Sequence, residues 1–425
     1  MKEKIKHSLT TIFCLLVLFT ICYFINTAAL DEGGYSPLVN NIEQKSETVL
    51  EPKELFLETW SLVKSNYWDY DLNEQNWNRW KKRYIDEIET EEDAYVAINT
   101  MLASLNDPYS KFLSSNEFQE QNNSIESKIY GIGVNIASVS GKIYIINVIK
   151  GAPADIGGLK PGDIILKING NDVHGDSIYQ CANYIKGSLN SLVDIEILRD
   201  NKKLVKKIKR AEIKIKTVES DVFDKEIGYI RIISFISSET PIEFIDALNK
   251  VKDTEALILD LRGNTGGLFQ NAVFVANMFL DKGSIVRVID RSGHKSSYSA
   301  EKKEYIYDKP LVVLVDRESA SASEIVSAAL KDNGRAMIVG TKTFGKGVVQ
   351  KVYTMPNHTG MNLTIARYLT PNGNDINNKG IEPNYFIEIT KDDFEKNNDS
   401  QLNFAKNMLK NEIEREKIAH TPPKH

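Results

Sequence analysis

The sequence predicts an α/β core into which a small, partly open β-barrel is inserted, with a helical region ahead of both and a single membrane-spanning helix at the N-terminus. Three textures predict it. From residue 214 onward, apolar runs (IGYIRII, ALILDLRG, PLVVLVD, AMIVG) alternate with helical patterns at 241–251, 270–280 and 322–331, as βαβ crossovers require. Between about 125 and 210 the runs are short, β-rich and punctuated by glycine, with one helical insert at 177–186. Between 53 and about 113 the apolar residues recur at helical spacing.

Composition sets the outer limits. Only 25 Gly and 12 Pro in 425 residues exclude collagen-like repetition and general disorder, and 42% hydrophobic residues suffice for several cores. Lys and Arg number 53 against 58 Asp and Glu, a net charge of −5, so sequence-independent binding to nucleic acid lacks its basic excess.

Lys2, Lys4 and Lys6 precede an uncharged run from Ser8 to Leu30, and Asp31 and Glu32 follow it. At ~1.5 Å per residue the run reaches roughly 30 Å, the thickness of a bilayer core. The positive flank places the N-terminus in the cytoplasm and everything after residue 30 outside it. The expectation is a retained anchor over 1–30, with a cleaved signal peptide, and hence secretion, as the rival reading. Residues 31–52 read as a linker. Cys14 and Cys22 fall in the apolar run, which leaves Cys181 alone in the exported part as a small buried residue, with no disulfide to staple that part.

The helical region draws its core from Leu55, Trp60, Leu62 and Val63, then Trp77, Trp80 and Tyr84, then Ala94, Ala97, Ile98 and Leu102. Pro108 ends it in the turn LNDPYSKFL. In the β-rich unit a turn is expected at Asp200 and Asn201. The lysines of 202–216, interleaved with Leu204, Val205, Ile208, Ile213 and Ile215, read as the solvated face of a hairpin rather than as a membrane-binding patch. Residues 399–418 form a terminal helix with Leu402, Ala405, Leu409 and Ile413 along one stripe, open to dimerisation or to packing on its own domain.

Several chemistries drop out on motif grounds. The six histidines form no i, i+4 pair and no HExxH, the cysteines no CxxC, and GxSxG is absent, so no metal and no α/β-hydrolase elbow is expected. The segment Gly340–Lys346 approaches a phosphate-binding loop, but Gly347 stands where a hydroxyl is needed and a β-branched run follows where a helix is needed. Two strand-to-helix turns are more informative. Glu318–Ile325 (ESASASEI) follows PLVVLVD, and Asn264–Gly267 follows LILDLRG, so both lie beyond the carboxyl ends of parallel strands, where ligands gather. A serine in the first turn sits near helix N–H groups able to stabilise an oxyanion, although Ser321 or Ser323 could equally be an N-cap. Such a serine needs a base. His294 and His358 lie in polar loops. Lys346, between two glycines and ahead of a buried-looking strand, is the better candidate because burial disfavours its charged form, and Gln350 would project from the same strand face.

LNDPYSKFL, YGIGV, GAPADIGGLKPGDIILKING, LILDLRGNTGGL, SASASEI, GTKTFGKGVVQ and YLTPNGNDINNKGIEP resemble, in order, the signature segments of the carboxy-terminal processing proteases, exported serine endopeptidases with an embedded PDZ domain. The likeness runs from about residue 53 to 410. It implies a helical region over 53–122, a PDZ domain over 123–212, a protease core over 213–398 and a C-terminal helix and tail over 399–425. It also implies Ser321 as nucleophile, Lys346 as general base 25 positions later, Gln350 as its orienting partner, and an oxyanion hole from the N–H of Ala322 with that of Gly266 or Gly267. Tyr130, Gly131, Ile132 and Gly133 would form the PDZ loop that takes a substrate's terminal carboxylate. Departures are minor: Glu318 stands where Gly is common, Thr343 where Ser is, and Asn384 where Asp is usual. The resulting expectation is a membrane-anchored, extracytoplasmic endopeptidase acting on flexible C-terminal tails, with no cofactor and with homodimerisation open. Its rivals are an idle membrane-tethered PDZ adaptor and a nucleotide-binding protein.

Overall fold

The computed structural model describes residues 48–126, 128–139, 141–214, 216–301, 307–396 and 398–419. The apolar run at 8–30 therefore lies outside the described residues, among which no helix is long and apolar enough to cross a membrane.

The helical region comprises α1 (Pro52–Asn66), α2 (Asn78–Tyr84) and α3 (Glu91–Ala103), then the short strand β1 (Lys111–Leu113) and α4 (Ser115–Ile125). Pro52 opens α1 where a missing N–H costs nothing. Thr90 and Asp93 form a reciprocal capping box on α3. The region is no separate body: Leu55, Val63, Trp80 and Ile98 share one core with Met355, Met361 and Leu363 from far along the chain.

The β-rich unit follows as β2 (Lys128–Gly131), β3 (Val134–Val139), β4 (Lys142–Val148), α5 (Pro153–Ile156), β5 (Ile164–Ile168), β6 (Asn171–Asp172), α6 (Ile178–Ile185), β7 (Leu192–Arg199), β8 (Lys202–Lys209) and β9 (Ala211–Lys214). Its main sheet runs β3-β4-β5-β7-β8, with β6 on β5, while β2 and β9 pair separately where the chain enters and leaves. Asp200 and Asn201, both at positive φ, make the tight β7–β8 turn. Lys203 and Lys207 on β8 face Glu196 and Asp194 across the ladder at 3.7 and 3.8 Å, a solvated charged face. Cys181 on α6 is buried and unbonded to another cysteine.

The remaining chain builds two sheets. The elements are β10 (Val218–Phe223), β11 (Ile227–Ile232), α7 (Thr240–Val251), β12 (Ala256–Asp260), α8 (Phe269–Asn277), β13 (Ser284–Asp290), β14 (Lys295–Ser299), β15 (Leu311–Val315), α9 (Ala322–Asp332), β16 (Met337–Gly340), β17 (Val348–Thr354), β18 (Gly360–Leu369), β19 (Tyr385–Phe386), α10 (Lys391–Glu395) and α11 (Ser400–Ala419). One sheet runs β10-β11-β12-β15-β16-β19, parallel except for the β10 edge. Alternation along β12 and β15 sends Leu257, Leu259 and Val313 to one face, against α7, α8 and α9, and Ile258, Val312 and Leu314 to the other. On that second face lie Ala405, Leu409 and Ile413 of α11, so the stripe of the terminal helix is spent on its own domain.

The other sheet, β1-β18-β13-β14 with β17 on β18, is antiparallel and was not anticipated from the βαβ alternation. Its hairpins fall between helical segments and carry no crossover signal. It is the sheet onto which the helical region packs, through the β1–β18 pairing and the shared core.

Candidate active site

A cavity of about 230 Å³ opens between the two sheets, lined by Ser321, Lys346, Gln350 and Gly267 together with Gln121 and Ile125 of α4. Ser321 ends the turn after β15, directly ahead of α9. Its backbone is held at φ 53° and ψ −110°, a region a non-glycine residue adopts only under constraint. The neighbouring serines are fully buried and structurally employed: Ser319 Oγ donates to the Leu261 carbonyl and Ser323 Oγ to that of Asn264, both at 2.9 Å. Of the three serines in SASAS, Ser321 alone lines the cavity.

The constraint comes from two buried side chains, Glu324 and Asn264, to which no motif assigns a role. Glu324, fully buried in the first turn of α9, accepts the N–H of Ser321 at 2.9 Å, the hydroxyl of Thr343 at 2.6 Å, and the N–H groups of Gly345 and Lys346 at 2.7 and 2.9 Å. One carboxylate thus ties the Ser321 turn to the loop that carries Lys346. The Ser321-x-x-Glu324 spacing was visible, but its ordinary meaning is a helix cap. Asn264 ties the serine turn to the glycine turn: its carbonyl accepts Ala320 N–H at 3.0 Å, its Oδ1 accepts Gly266 N–H at 2.9 Å, and its Nδ2 donates to Ile232 at 2.7 Å.

These bonds separate the two glycines. Gly266 is buried, its N–H is taken by Asn264, and a Cβ there would sit 2.7 Å from the Ala320 carbonyl and 2.9 Å from Ser321 Cβ. Gly267 is exposed on the cavity, and its N–H has no acceptor among the described residues. At φ 148° it packs so closely on the chain at Phe235–Ile236 that a Cβ would stand 2.2 Å from Ile236 N. Ala322 is buried beside Ser321, and its N–H likewise lacks an acceptor among the described residues.

Lys346 precedes β17 and Gln350 lies on it, past a register shift between Val349 and Gln350 that re-aims the side chain. Lys346 Nζ donates to Gln350 Oε1 at 2.7 Å. Burial pushes the amine below its ordinary pKa, while the nearby Asp107 and Glu324 carboxylates oppose that and Lys111 assists it. Tyr368 on β18 donates its hydroxyl to the Lys346 carbonyl, and burial keeps that phenol protonated by raising its pKa. No hydrogen bond joins Ser321 Oγ to Lys346 Nζ; the two side chains share the cavity wall. His294 and His358 are exposed and do not line it. The loop 341–347 leads into a strand, not a helix, and two of its N–H groups are taken by Glu324, so it offers no phosphate cradle.

In the β-rich unit, Tyr130 and Gly131 end β2, and Ile132 and Gly133 link it to β3. The Tyr130 carbonyl accepts from Gly187 just past α6, Ile132 is buried, and Gly133 sits at φ 79° with its Cβ position 2.5 Å from Ala152 Cβ. Gly131 closes the β2–β9 pairing. The N–H groups of Ile132 and Gly133 have no acceptor among the described residues, and β3, at the sheet's end, leaves one edge open.

Comparison with known proteins agrees with this architecture. Residues 226–387 match peptidase family S41, residues 131–209 a PDZ domain, and residues 48–103 the tricorn protease C1 domain. A carboxyl-terminal-processing protease of Picosynechococcus is 36% identical over 346 residues, 79% of this chain and 83% of that protein. The carboxy-terminal processing protease CtpB of Bacillus subtilis is 37% identical over 348 residues, 79% and 70% of the two chains. Among solved structures, a photosystem II D1 C-terminal processing protease matches with a TM-score of 0.56 at 31% identity, over 80% of this chain and 94% of the other.

Proposed function

The chain belongs to the carboxyl-terminal-processing proteases of peptidase family S41 and is a serine protease; from that premise we propose how it cleaves. Ser321 is the nucleophile, Lys346 the general base and Gln350 the group that orients the amine. The observation that carries this reading is the meeting on one cavity of a serine with a constrained backbone, a desolvated lysine bonded to a glutamine, and the Gly267 backbone amide, which has no acceptor among the described residues.

Burial favours the neutral amine, which takes the Oγ proton as Oγ attacks the substrate carbonyl carbon. The carbonyl π electrons move onto oxygen, and the N–H of Gly267 with that of Ala322 receives the negative charge. Gly266 is the weaker donor candidate because its N–H is already engaged. When the adduct collapses, the Lys346 ammonium gives its proton to the departing amine and an acyl-serine remains. Water then gives a proton to the same amine and attacks the acyl carbon; as this second adduct collapses, the bond from that carbon to Ser321 Oγ breaks, the ammonium returns its proton to Oγ, and the acyl group leaves as a carboxylic acid that ionises in solvent.

The PDZ domain would hold the substrate's terminal carboxylate at Tyr130–Gly133, chiefly on the Ile132 and Gly133 N–H groups, while the tail pairs with the open edge of β3. It would also gate access to Ser321. Flexible C-terminal tails fit such a site because an extended strand must reach the cavity. The flanked apolar run at 8–30 supports an extracytoplasmic enzyme tethered to the membrane.

The test is cleavage by the full chain in detergent of an unstructured protein with an apolar C-terminus. Ser321→Ala and Lys346→Ala each abolish cleavage, and amidating the substrate's end reduces it. Normal turnover by Lys346→Ala with loss in His294→Ala would overturn the base assignment.

A further inference from the structure

The turn at residues 107–110, which joins the helical region to β1, lies against the base. Asp107 organises it: Oδ1 accepts the Tyr109 N–H at 2.9 Å and Oδ2 the Ser110 hydroxyl at 2.6 Å. Ser110 Oγ in turn accepts the Thr364 N–H of β18 at 3.1 Å. Held this way, the turn presents two parts of Tyr109 to the lysine–glutamine pair. Its carbonyl accepts a hydrogen bond from Gln350 Nε2, and its ring centre lies 4.7 Å from Lys346 Nζ.

Each part does something the pair cannot do for itself. A primary amide can present either its oxygen or its nitrogen to a neighbour, and the choice is set by the network around it. The Tyr109 carbonyl engages the nitrogen, so the oxygen is left facing Lys346, where it accepts from Nζ. With the amide reversed, its oxygen would face the Tyr109 carbonyl oxygen, and its N–H would occupy the lone pair that a neutral amine needs to act as a base. The ring covers one side of the amine against water, and burial is the leading influence on that amine.

We propose that Tyr109 is a positioning residue for the base, delivered by the Asp107 turn, so that the helical region completes the catalytic site from outside the two sheets of the protease core. This deepens the reading of Lys346 as the base and rests on it.

The charged and titratable groups facing Lys346 are Asp107 and Tyr109 from the turn, Lys111 from β1, Glu324 from α9 and Tyr368 from β18. Asp107 and Glu324 favour the ammonium, whereas burial and Lys111 disfavour it. Two substitutions in the full chain therefore push in opposite directions. Tyr109→Ala admits water to the amine and moves the acid limb of kcat/KM upward by about one pH unit, about a 10-fold loss below the limb that is recovered at alkaline pH. Asp107→Asn keeps an oxygen for the Tyr109 N–H, removes the negative charge, and moves the limb downward. Tyr109→Phe, which keeps ring and carbonyl, retains the wild-type limb. A merely structural role would lower activity at every pH without moving it.

The amine is also read without catalysis, as the pH dependence of Lys346 acylation by acetic anhydride in Ser321→Ala protein, followed by mass spectrometry; the same two opposite shifts are expected. Full turnover by Lys346→Ala sinks the base assignment whatever the turn does. An inactive Lys346→Ala protein, combined with an unmoved limb and an unmoved acylation profile in both Tyr109→Ala and Asp107→Asn, overturns the positioning role alone.

Discussion

Glu324→Gln removes one charge and exchanges one acceptor for a donor at the point where the turns of Ser321 and Lys346, the proposed nucleophile and base, are tied together. All four partners of the carboxylate act as donors: Oε2 serves the Ser321 and Lys346 N–H groups, and Oε1 the Gly345 N–H and the Thr343 hydroxyl. A glutamine best keeps its oxygen at the Oε2 position, because Thr343 can rotate to accept from the new amide whereas no backbone N–H can. Gly345 N–H is then left buried and unpaired, which costs about 1–3 kcal/mol. The bonds that survive lose their charge assistance, so the total loss is about 2–4 kcal/mol. The shift is measured as the midpoint of denaturant unfolding in a Ser321→Ala background, which prevents self-cleavage, and the slope should stay constant. In the active background kcat falls as well, because the Ser321 and Lys346 backbones are no longer held in register. A stability change below about 0.5 kcal/mol together with wild-type kcat would refute the idea that one carboxylate fixes both turns.

Three other outcomes follow from the same geometry. Only the neutral amine can accept the serine proton, and burial lowers the Lys346 pKa, so kcat/KM should be retained above that lowered pKa and lost as pH falls through it; a flat profile would contradict the mechanism. Gly267→Ala forces a Cβ to 2.2 Å from Ile236 N at a φ of 148°, so activity should vanish and stability drop, and an active, stable alanine variant would contradict the close packing of this turn on Phe235 and Ile236. Leu409→Ala, beneath the parallel sheet, should lower stability by about 2–5 kcal/mol with kcat per folded molecule unchanged, which a chemical denaturation series coupled to activity assays would check.

The parallel sheet was legible because its strands are buried on both faces and separated by amphipathic helices, a pattern that depends only on neighbours in sequence. The helix at 177–186 and the turn at Asp200 and Asn201 were legible for the same reason: the Ser177–Gln180 box and the left-handed turn residues are local devices. The antiparallel sheet was not, because β1 pairs with β18 some 250 positions away and nothing in Lys111–Leu113 announces a partner. Pairing at such separation is fixed by the fold as a whole.

The site divides along the same line. Ser321, Lys346 and Gln350 stand out as residue types whose chemistry is recognisable in a short segment. The groups that give them their properties do not. Glu324 acts on Gly345 and Lys346 across a strand and two loops, Asn264 on Ala320 across the sheet, and Tyr109 on Gln350 from another region of the chain. A lysine in water is protonated at neutral pH whatever motif surrounds it; burial lowers the pKa of this one, and Tyr109 and Tyr368, which lie against it, come from outside its motif. On the proposed mechanism, the chemical competence of Ser321 and Lys346 is therefore a property of how the helical region and the two sheets are clamped together, and substitutions that loosen the clamp should be felt first as a shift in the pH at which the enzyme works.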